Sequence, residues 1–264
     1  MELRNVIFAV SLSFAILFGW SVIFDTPEEK QKRLERAESR NQTSTAPSVN
    51  GESNNIENTS REDAIRSSKR IKIENENITG SISLKGVLID DITFKKYNEN
   101  LKEDKKVTYL NPAETSRGYF IETGWAPASN LEGISLPNAE TTWSIKGNNK
   151  LSEGSPVIVE WNNKSGLIFR KKIELDKKFL FRITQEIQNN SNKKVELHPY
   201  AQITRNQKPV IDARSMSGTL ILHDGFIGVF NEDLKEYDYD DIQDKKYGKE
   251  HNADDGWLGI TDKY

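Results

Sequence analysis

VIVEWNNKSGLIFRKKIELDKKFLFRITQEIQNNSN, residues 157–192, has the clearest strand pattern in this 264-residue chain. It predicts three strands, at 157–161, 167–175 and 179–188, in which apolar residues alternate with polar ones. Two runs rich in asparagine and serine, 162–166 and 189–192, separate these strands as hairpin or meander connections do. The centre of the domain is therefore predicted to be an antiparallel sheet.

Short apolar segments of the same kind lie on both sides of this stretch. About 190 residues follow position 70, which is enough chain for one substantial core. So many strands without alternating amphipathic helices predict a mainly β fold of packed sheets. One late segment, 231–242, is predicted to be helical. The further strands are predicted at 71–74, 78–84, 107–110, 119–122, 195–204, 219–223 and 226–230.

Near the start of the chain, residues 6–24 contain no charge, proline, asparagine or glutamine. A helix of this length reaches about 28 Å and can span a bilayer, so 1–25 is predicted to be a transmembrane anchor. A cleavable secretory signal is the rival interpretation, but its apolar region is shorter and ends in a small-x-small site, whereas this run ends in VIFD. The residues assigned to the anchor are Val6, Phe14, Trp20 and Phe24.

The segment between the anchor and the first predicted strand, 26–70, is almost entirely polar or charged and has no aromatic residue. Such a segment cannot bury enough apolar surface to offset the entropy lost on ordering. It is predicted to be a flexible polar linker, and the folded domain is predicted over 71–264.

The charges beside the anchor do not settle its orientation. Lysine and arginine accumulate on the cytoplasmic side of a span, yet one such residue precedes this run and four follow it closely. That count alone places the large domain in the cytoplasm. The residues are Arg4 before the run and Lys30, Lys32, Arg33 and Arg36 after it.

No catalytic, cofactor or metal site is predicted from the residue types. Cysteine is absent, which excludes a disulfide framework and thiol catalysis. The three histidines lack a paired metal-ligand spacing, and Ser165 before Gly166 lacks the first half of a nucleophile elbow. The acidic run 238–244 fails as a calcium loop because Gln243 takes the place of the required glycine. A net charge of −3 argues against nucleic-acid binding.

Four tryptophans lie in the predicted β region, at positions 125, 143, 161 and 257. Large aromatic residues in packed sheets more often form core or edge packing than a platform for a ligand. The alternative is that some of them line a ligand groove. Trp125 and Trp143 are the residues assigned to such a cleft or interaction surface.

Nine different short motifs follow one another along the chain after the anchor and polar linker. They are GSISLKG at 80–86, LPN at 136–138, TW at 142–143, VEWNN at 159–163, GLIF at 166–169, LD at 175–176, FLF at 179–181, PYA at 199–201 and GWLGITDKY at 256–264. Taken in this order, they resemble the membrane-anchored first part of the bacterial YidC membrane protein insertases. The resemblance covers the anchor and all of 71–264.

The resemblance carries expectations about fold and location. It implies a β-supersandwich similar to that of sugar mutarotases, with a short helical part towards the C-terminal end. It also implies a single N-in span in the inner membrane of a Gram-negative bacterium, with the 71–264 domain in the periplasm. That orientation overrules the lysine and arginine count.

The resemblance also carries an expectation about function, which is insertion and folding of inner-membrane proteins with or without the Sec translocon, without a chemical reaction or a cofactor. The five-helix membrane core of the family is absent from this chain, so the chain is expected to be an N-terminal portion. Its β domain is expected to be an accessory module. The expected partners are Sec components, membrane-protein clients and, through the N-terminal helix, the lipid bilayer.

Two other functions stay open from the residues. The first is a periplasmic module that binds a sugar or a peptide, which requires Trp125, Trp143 or another aromatic residue to be exposed in a concave surface. The second is a sugar epimerase, which requires His198 and His223 to converge in a cleft with a carboxylate. Fold likeness alone gives no support for such an activity.

Overall fold

A computed structural model of the chain describes residues 59–100, 102–128, 133–207, 223–243 and 248–261. The predicted anchor, 1–25, and the first part of the predicted linker, 26–58, therefore lie outside the described residues. So does most of the predicted strand 219–223. Within the described part, no helix is long and apolar enough to cross a membrane.

Strands make up most of the described chain. In order, the elements are α1 (Arg61–Arg66), β1 (Arg70–Glu74), β2 (Ile78–Ser83), β3 (Ile89–Asn98), β4 (Lys106–Leu110), β5 (Tyr119–Pro127), β6 (Ser144–Lys146), β7 (Lys150–Leu151), β8 (Val157–Asn162), β9 (Leu167–Leu175), β10 (Phe181–Asn189), β11 (Leu197–Arg205), β12 (Gly225–Phe230), β13 (Asp233–Asp238), α2 (Tyr239–Gln243) and β14 (Gly256–Thr261).

These strands form three sheets. The seven-stranded sheet has the order β11-β5-β3-β2-β1-β7, with β4 paired to β3. The four-stranded sheet has the order β10-β9-β8-β6, and the three-stranded sheet has the order β13-β12-β14. The predicted mainly β fold of packed sheets is confirmed, whereas the likeness to sugar mutarotases stays a prediction.

The antiparallel centre predicted from 157–192 is confirmed. Strands β9 and β10 pair without a register shift from Phe181 opposite Leu175 to Asn189 opposite Leu167, and β8 pairs antiparallel on the other side of β9. Gly166 makes the β8–β9 turn possible, because it has a φ of 97° and a Cβ there would lie 2.8 Å from Ser191.

The core lies between the seven-stranded and the four-stranded sheets. On β9 the inward positions alternate with outward ones, and Leu167, Phe169, Ile173 and Leu175 are all buried. Trp125 of β5 meets them, with its ring centroid 5.1 Å from that of Phe169 in an edge-to-face contact. This contact joins the two sheets at one end of the sandwich.

Helix α1 lies inside the range predicted as flexible linker, so the last part of that range is ordered. The helix begins after Ser60, whose hydroxyl accepts a hydrogen bond from the backbone N–H of Asp63 at 3.1 Å. Ala64 is buried, and the Arg61 guanidinium forms an ion pair with the buried Asp91. One apolar contact, one cap and one ion pair therefore fix a segment whose composition is that of a linker.

The helix predicted over 231–242 is wrong over its first part. Residues 233–238 form strand β13, and only 239–243 are helical. Asn231 and Glu232 both have positive φ, 50° and 69°, which is the geometry of a two-residue type I′ hairpin turn. This turn pairs Asp233 with Phe230 and starts the β12–β13 ladder.

Candidate functional site: an apolar groove

An apolar groove of about 660 Å³ opens beside the turn between β9 and β10. Its floor is formed by β2, β3, β4 and β5 of the seven-stranded sheet, and its wall by the start of β10 and the turn before it. The lining residues are Ile78, Ile89, Ile92, Phe94, Tyr97, Asn98, Val107, Tyr109, Leu110, Ile121, Phe179, Leu180 and Phe181.

A cluster of aromatic rings centres on Phe94 in this groove. The Phe94 ring centroid lies 5.2 Å from that of Tyr109 and 5.6 Å from those of Tyr97 and Phe179. Tyr97, Phe179 and Leu180 are exposed, and Leu180 is 62% exposed. Large apolar side chains that remain in water around a concave surface mark a binding site more often than they mark a core.

The turn that carries Phe179 and Leu180 is held in place by side-chain amides. Asn75 Nδ2 donates to the carbonyl oxygens of Asp176 and Lys178, at 3.0 and 2.9 Å, and Asn77 Nδ2 donates to that of Lys177 at 2.8 Å. The Asp176 carboxylate accepts from the backbone N–H of Leu180 at 2.9 Å. The wall of the groove is therefore fixed to the β1–β2 turn.

The lining chemistry of the groove favours an apolar ligand. Among its lining residues, only Asn98 and the tyrosine hydroxyls are polar. The volume lies within the range of small-ligand sites in proteins. This site is not among those predicted from the sequence, although the sequence contains a signal for it. Three successive apolar residues, 179–181, break the alternation of the strand pattern and so cannot all face the core.

A second, much smaller cavity of about 10 Å³ lies around Lys171, next to Glu122, Trp143 and Tyr200. Lys171 is 2% exposed and occupies an inward position of β9 between Phe169 and Ile173. Its ammonium donates to the Thr123 carbonyl oxygen at 2.6 Å and lies 5.1 Å from the centroid of the Trp143 ring. Burial lowers the pKa of Lys171 to about 8, while the nearby Glu122 carboxylate acts in the opposite direction.

Glu122 has its own donor in this cavity. The Tyr200 hydroxyl donates to the Glu122 carboxylate at 2.6 Å, and burial together with this bond raises the pKa of Tyr200. Gly124 leaves room for the Tyr200 ring, because a Cβ at Gly124 would lie 2.6 Å from ring atoms. The cavity has space for about one water molecule, so it is not a site for a sugar or a peptide.

The structure places Trp125 and Trp143 in the core, at 5% and 3% exposure. Their ring centroids are 6.4 Å apart, and Trp125 also packs on Phe169. The exposure that the sugar or peptide cleft requires is therefore not found at either tryptophan, and packing between the sheets is the reason. Trp257, on the edge strand β14, is the exposed one, at 54%.

The three histidines lie in two regions of the fold. His198 is exposed on β11 of the seven-stranded sheet, whereas His223 and His251 belong to the region of the three-stranded sheet. His223 contacts the Phe226 carbonyl oxygen at 3.0 Å, and His251 contacts the Tyr237 hydroxyl at 2.8 Å. Over the described ranges, no group of three or more His, Cys, Asp or Glu residues has an arrangement that could hold a metal ion.

The chain is similar to known proteins over most or all of its length. The sequence profile of the YidC periplasmic domain matches residues 70–264. The chain is 42% identical over 265 residues to the membrane protein insertase YidC of Pelagibacter ubique (strain HTCC1062), an alignment that covers 100% of this chain and 46% of that protein.

Two rickettsial proteins give the same result. The chain is 39% identical over 268 residues to the membrane protein insertase YidC of Rickettsia canadensis (strain McKiel), covering 100% of this chain and 46% of that protein. It is 39% identical over 261 residues to that of Rickettsia prowazekii (strain Madrid E), covering 98% and 45%. The chain therefore spans less than half the length of these relatives.

Proposed function

The chain belongs to the YidC membrane protein insertase family, and on that premise we propose that its β domain binds apolar segments of membrane-protein clients outside the inner membrane. The observation that carries the proposal is the apolar groove with its exposed wall residues Phe179 and Leu180. A client segment that is outside the bilayer has apolar side chains that must be kept from water, and this groove offers them an apolar surface.

For the complete protein we propose the function that its family membership implies. The complete protein inserts and folds inner-membrane proteins, alone or beside the Sec translocon, by giving polar segments a route that costs less free energy than passage through bare hydrocarbon. No bond is made or broken in that process. The 1–25 segment is the single N-in anchor, and the β domain is an accessory periplasmic module that contacts Sec components and clients.

The alternative functions receive less support from the geometry. A sugar site needs several convergent polar groups beside an aromatic platform, whereas the groove is lined almost wholly by hydrocarbon. A sugar epimerase needs His198 and His223 in one cleft, whereas His198 is on the seven-stranded sheet and His223 contacts β12 of the three-stranded sheet. Binding of an apolar polypeptide segment is therefore the version of the binding-module hypothesis that we retain.

Site-specific photo-crosslinking tests this function. The photoreactive residue p-benzoylphenylalanine replaces Leu180 in the full-length protein, in inner-membrane vesicles that are synthesising a client membrane protein. Leu258 is the matched control, because it is equally exposed, at 65%, but lies on the three-stranded sheet. We expect client adducts from position 180 and few from position 258.

Two outcomes would contradict the proposal. One is the absence of client adducts at position 180 while insertion proceeds normally. The other is an equal yield of adducts at both positions, which would mean that clients touch any exposed apolar residue and that the groove has no special role.

A further inference from the structure

The free edge of β10 begins at the apolar groove. β10 is the terminal strand of the four-stranded sheet, and its only partner among the described residues is β9. Its first residue, Phe181, lines the groove, whereas no residue of β9 does. The groove therefore lies on the side of β10 that faces away from β9. Alternate residues of this strand direct their N–H and C=O groups towards that side.

The other edges of the two large sheets are protected in ways that β10 is not. β6 and β7 are only three and two residues long, and β11 contains Pro199, which has no N–H to donate. β4, which among the described strands pairs only with β3 and branches from the path of the seven-stranded sheet, is five residues long, begins with Lys106 and has register shifts in its pairing with β3. β10 has nine residues, FRITQEIQN, without proline, lysine or a bulge in its pairing with β9. Long edges with none of these devices pair readily with another strand.

Resting on the function proposed above, we propose that the groove takes its client as an extended strand that pairs with the free edge of β10. The added strand is the fifth strand of the four-stranded sheet. Its backbone satisfies the outward N–H and C=O groups of β10, and its alternate side chains lie on the apolar floor. A polypeptide is the only apolar partner class that supplies both sets of contacts, since an acyl chain has no hydrogen-bonding groups.

Charge at one end of the groove favours the same occupant. Lys177 and Lys178 directly precede Phe179 in the groove wall. Lys177 forms an ion pair with Glu153, whereas Lys178 has no ionic partner within the described part of the chain. Short segments that cross to the outer face of the membrane carry few lysines and arginines. Neutral or acidic client segments therefore complement this lysine-bearing rim.

Hydrogen exchange with a synthetic peptide tests the pairing. The full chain is reconstituted in lipid nanodiscs and mixed with a nine-residue peptide of alternating valine and threonine. We expect the rapidly exchanging amides of β10 to slow at least tenfold, while those of β11, an edge strand with Pro199, do not change. The same peptide N-methylated at every residue keeps its side chains but has no N–H donors, and it should bind at least tenfold more weakly.

Each other outcome has a definite meaning. Equal binding of both peptides without protection of β10 would overturn strand pairing but leave client binding in the groove intact. Protection of the β10 amides before peptide is added would mean that another part of the protein already covers this edge, and it would overturn the proposal. Slower exchange of these amides caused by lipid alone would identify an acyl chain as the occupant and would overturn it too. If neither peptide binds, strand pairing fails, and crosslinking at position 180 decides separately whether clients use the groove.

Discussion

Two aromatic clusters lie against the seven-stranded sheet, and the four-stranded sheet covers only one of them. Trp125, Trp143 and Phe169 form the covered cluster, in which each ring is at most 5% exposed. Phe94, Tyr97 and Phe179 belong to the open cluster, where two of the rings remain in water. Similar aromatic side chains thus pack in the core in one cluster and stay partly in water in the other.

The largest expected difference between the two clusters is in stability. Phe169→Ala leaves a cavity in a closed core and should lower the free energy of unfolding by about 3–5 kcal/mol. Phe179→Ala, the matched change in the open cluster, should cost less than about 1 kcal/mol, because the ring is already exposed to solvent. Urea unfolding of the full chain measures both, and similar losses would remove the distinction between covered and open.

The next largest effect on the free energy of unfolding is expected at the polar groups next to the covered cluster. Tyr200→Phe leaves the buried Glu122 carboxylate without its hydroxyl donor and should cost roughly 1.5–3 kcal/mol in the free energy of unfolding. Tyr97→Phe removes a hydroxyl from an exposed ring of the open cluster and should change stability very little. Thermal unfolding of the two variants and the parent chain measures both effects. A larger loss of stability for Tyr97→Phe than for Tyr200→Phe would contradict the assignment of Tyr97 to the open cluster.

The pKa of Lys171 makes stability depend on pH at the covered end. Its folded-state pKa is about 8, against 10.5 ordinarily, so between these values the unfolded chain binds more protons than the folded one. Stability therefore rises with pH in this window, by up to about 2 kcal/mol from pH 8 to pH 10. The raised pKa of Tyr200 opposes this rise only above about pH 10, where tyrosine ordinarily ionises.

The Lys171→Met variant isolates that effect. Subtracting its unfolding free energy from that of the parent chain at each pH should show the rise between pH 8 and pH 10. Lys178→Met, at an exposed lysine in the groove wall, is the matched control for the loss of one lysine side chain. A flat difference for Lys171→Met would mean that the Lys171 ammonium is solvated in the folded chain.

The smallest effect on stability is expected at the rim of the open cluster. Leu180→Ser should change the free energy of unfolding by no more than about 0.5 kcal/mol, because this side chain is mostly in water. The same substitution should weaken binding of the valine–threonine peptide severalfold, whereas Leu258→Ser should not. Titration of the peptide against the three proteins separates the two roles, and equal affinities would place the binding surface elsewhere.

Strand patterns in the sequence predicted much of the fold. The alternation over 167–175 predicts β9, and it also marks Lys171 as an inward residue, although its burial was not inferred. Two departures from the sequence predictions have specific structural causes. Helix α1 is ordered by a cap and an ion pair with Asp91, 30 residues away in the chain, and β13 is ordered by a turn with two positive-φ residues. Neither cause is visible in composition or periodicity.

The candidate site was less predictable than the fold. The sequence favoured packing for the tryptophans and kept Trp125 and Trp143 as candidates for a cleft, and packing between the sheets buries both. Phe179 and Leu180, assigned only to a strand, are the residues that stay exposed. Exposure depends on how far the second sheet extends over the first, and no local pattern in the sequence carries that information.

Family membership, the mainly β class and the antiparallel pairing around residues 157–192 could all be read from the sequence, because motifs and side-chain alternation are local properties of the chain. The tertiary structure decided which aromatic residues are covered, where a groove remains and which strand edge is left unpaired. These depend on contacts between segments far apart in sequence, such as Asn75 and Asn77 holding the turn at 176–178. Packing of one sheet on another fixes such contacts, so only the folded chain reveals them.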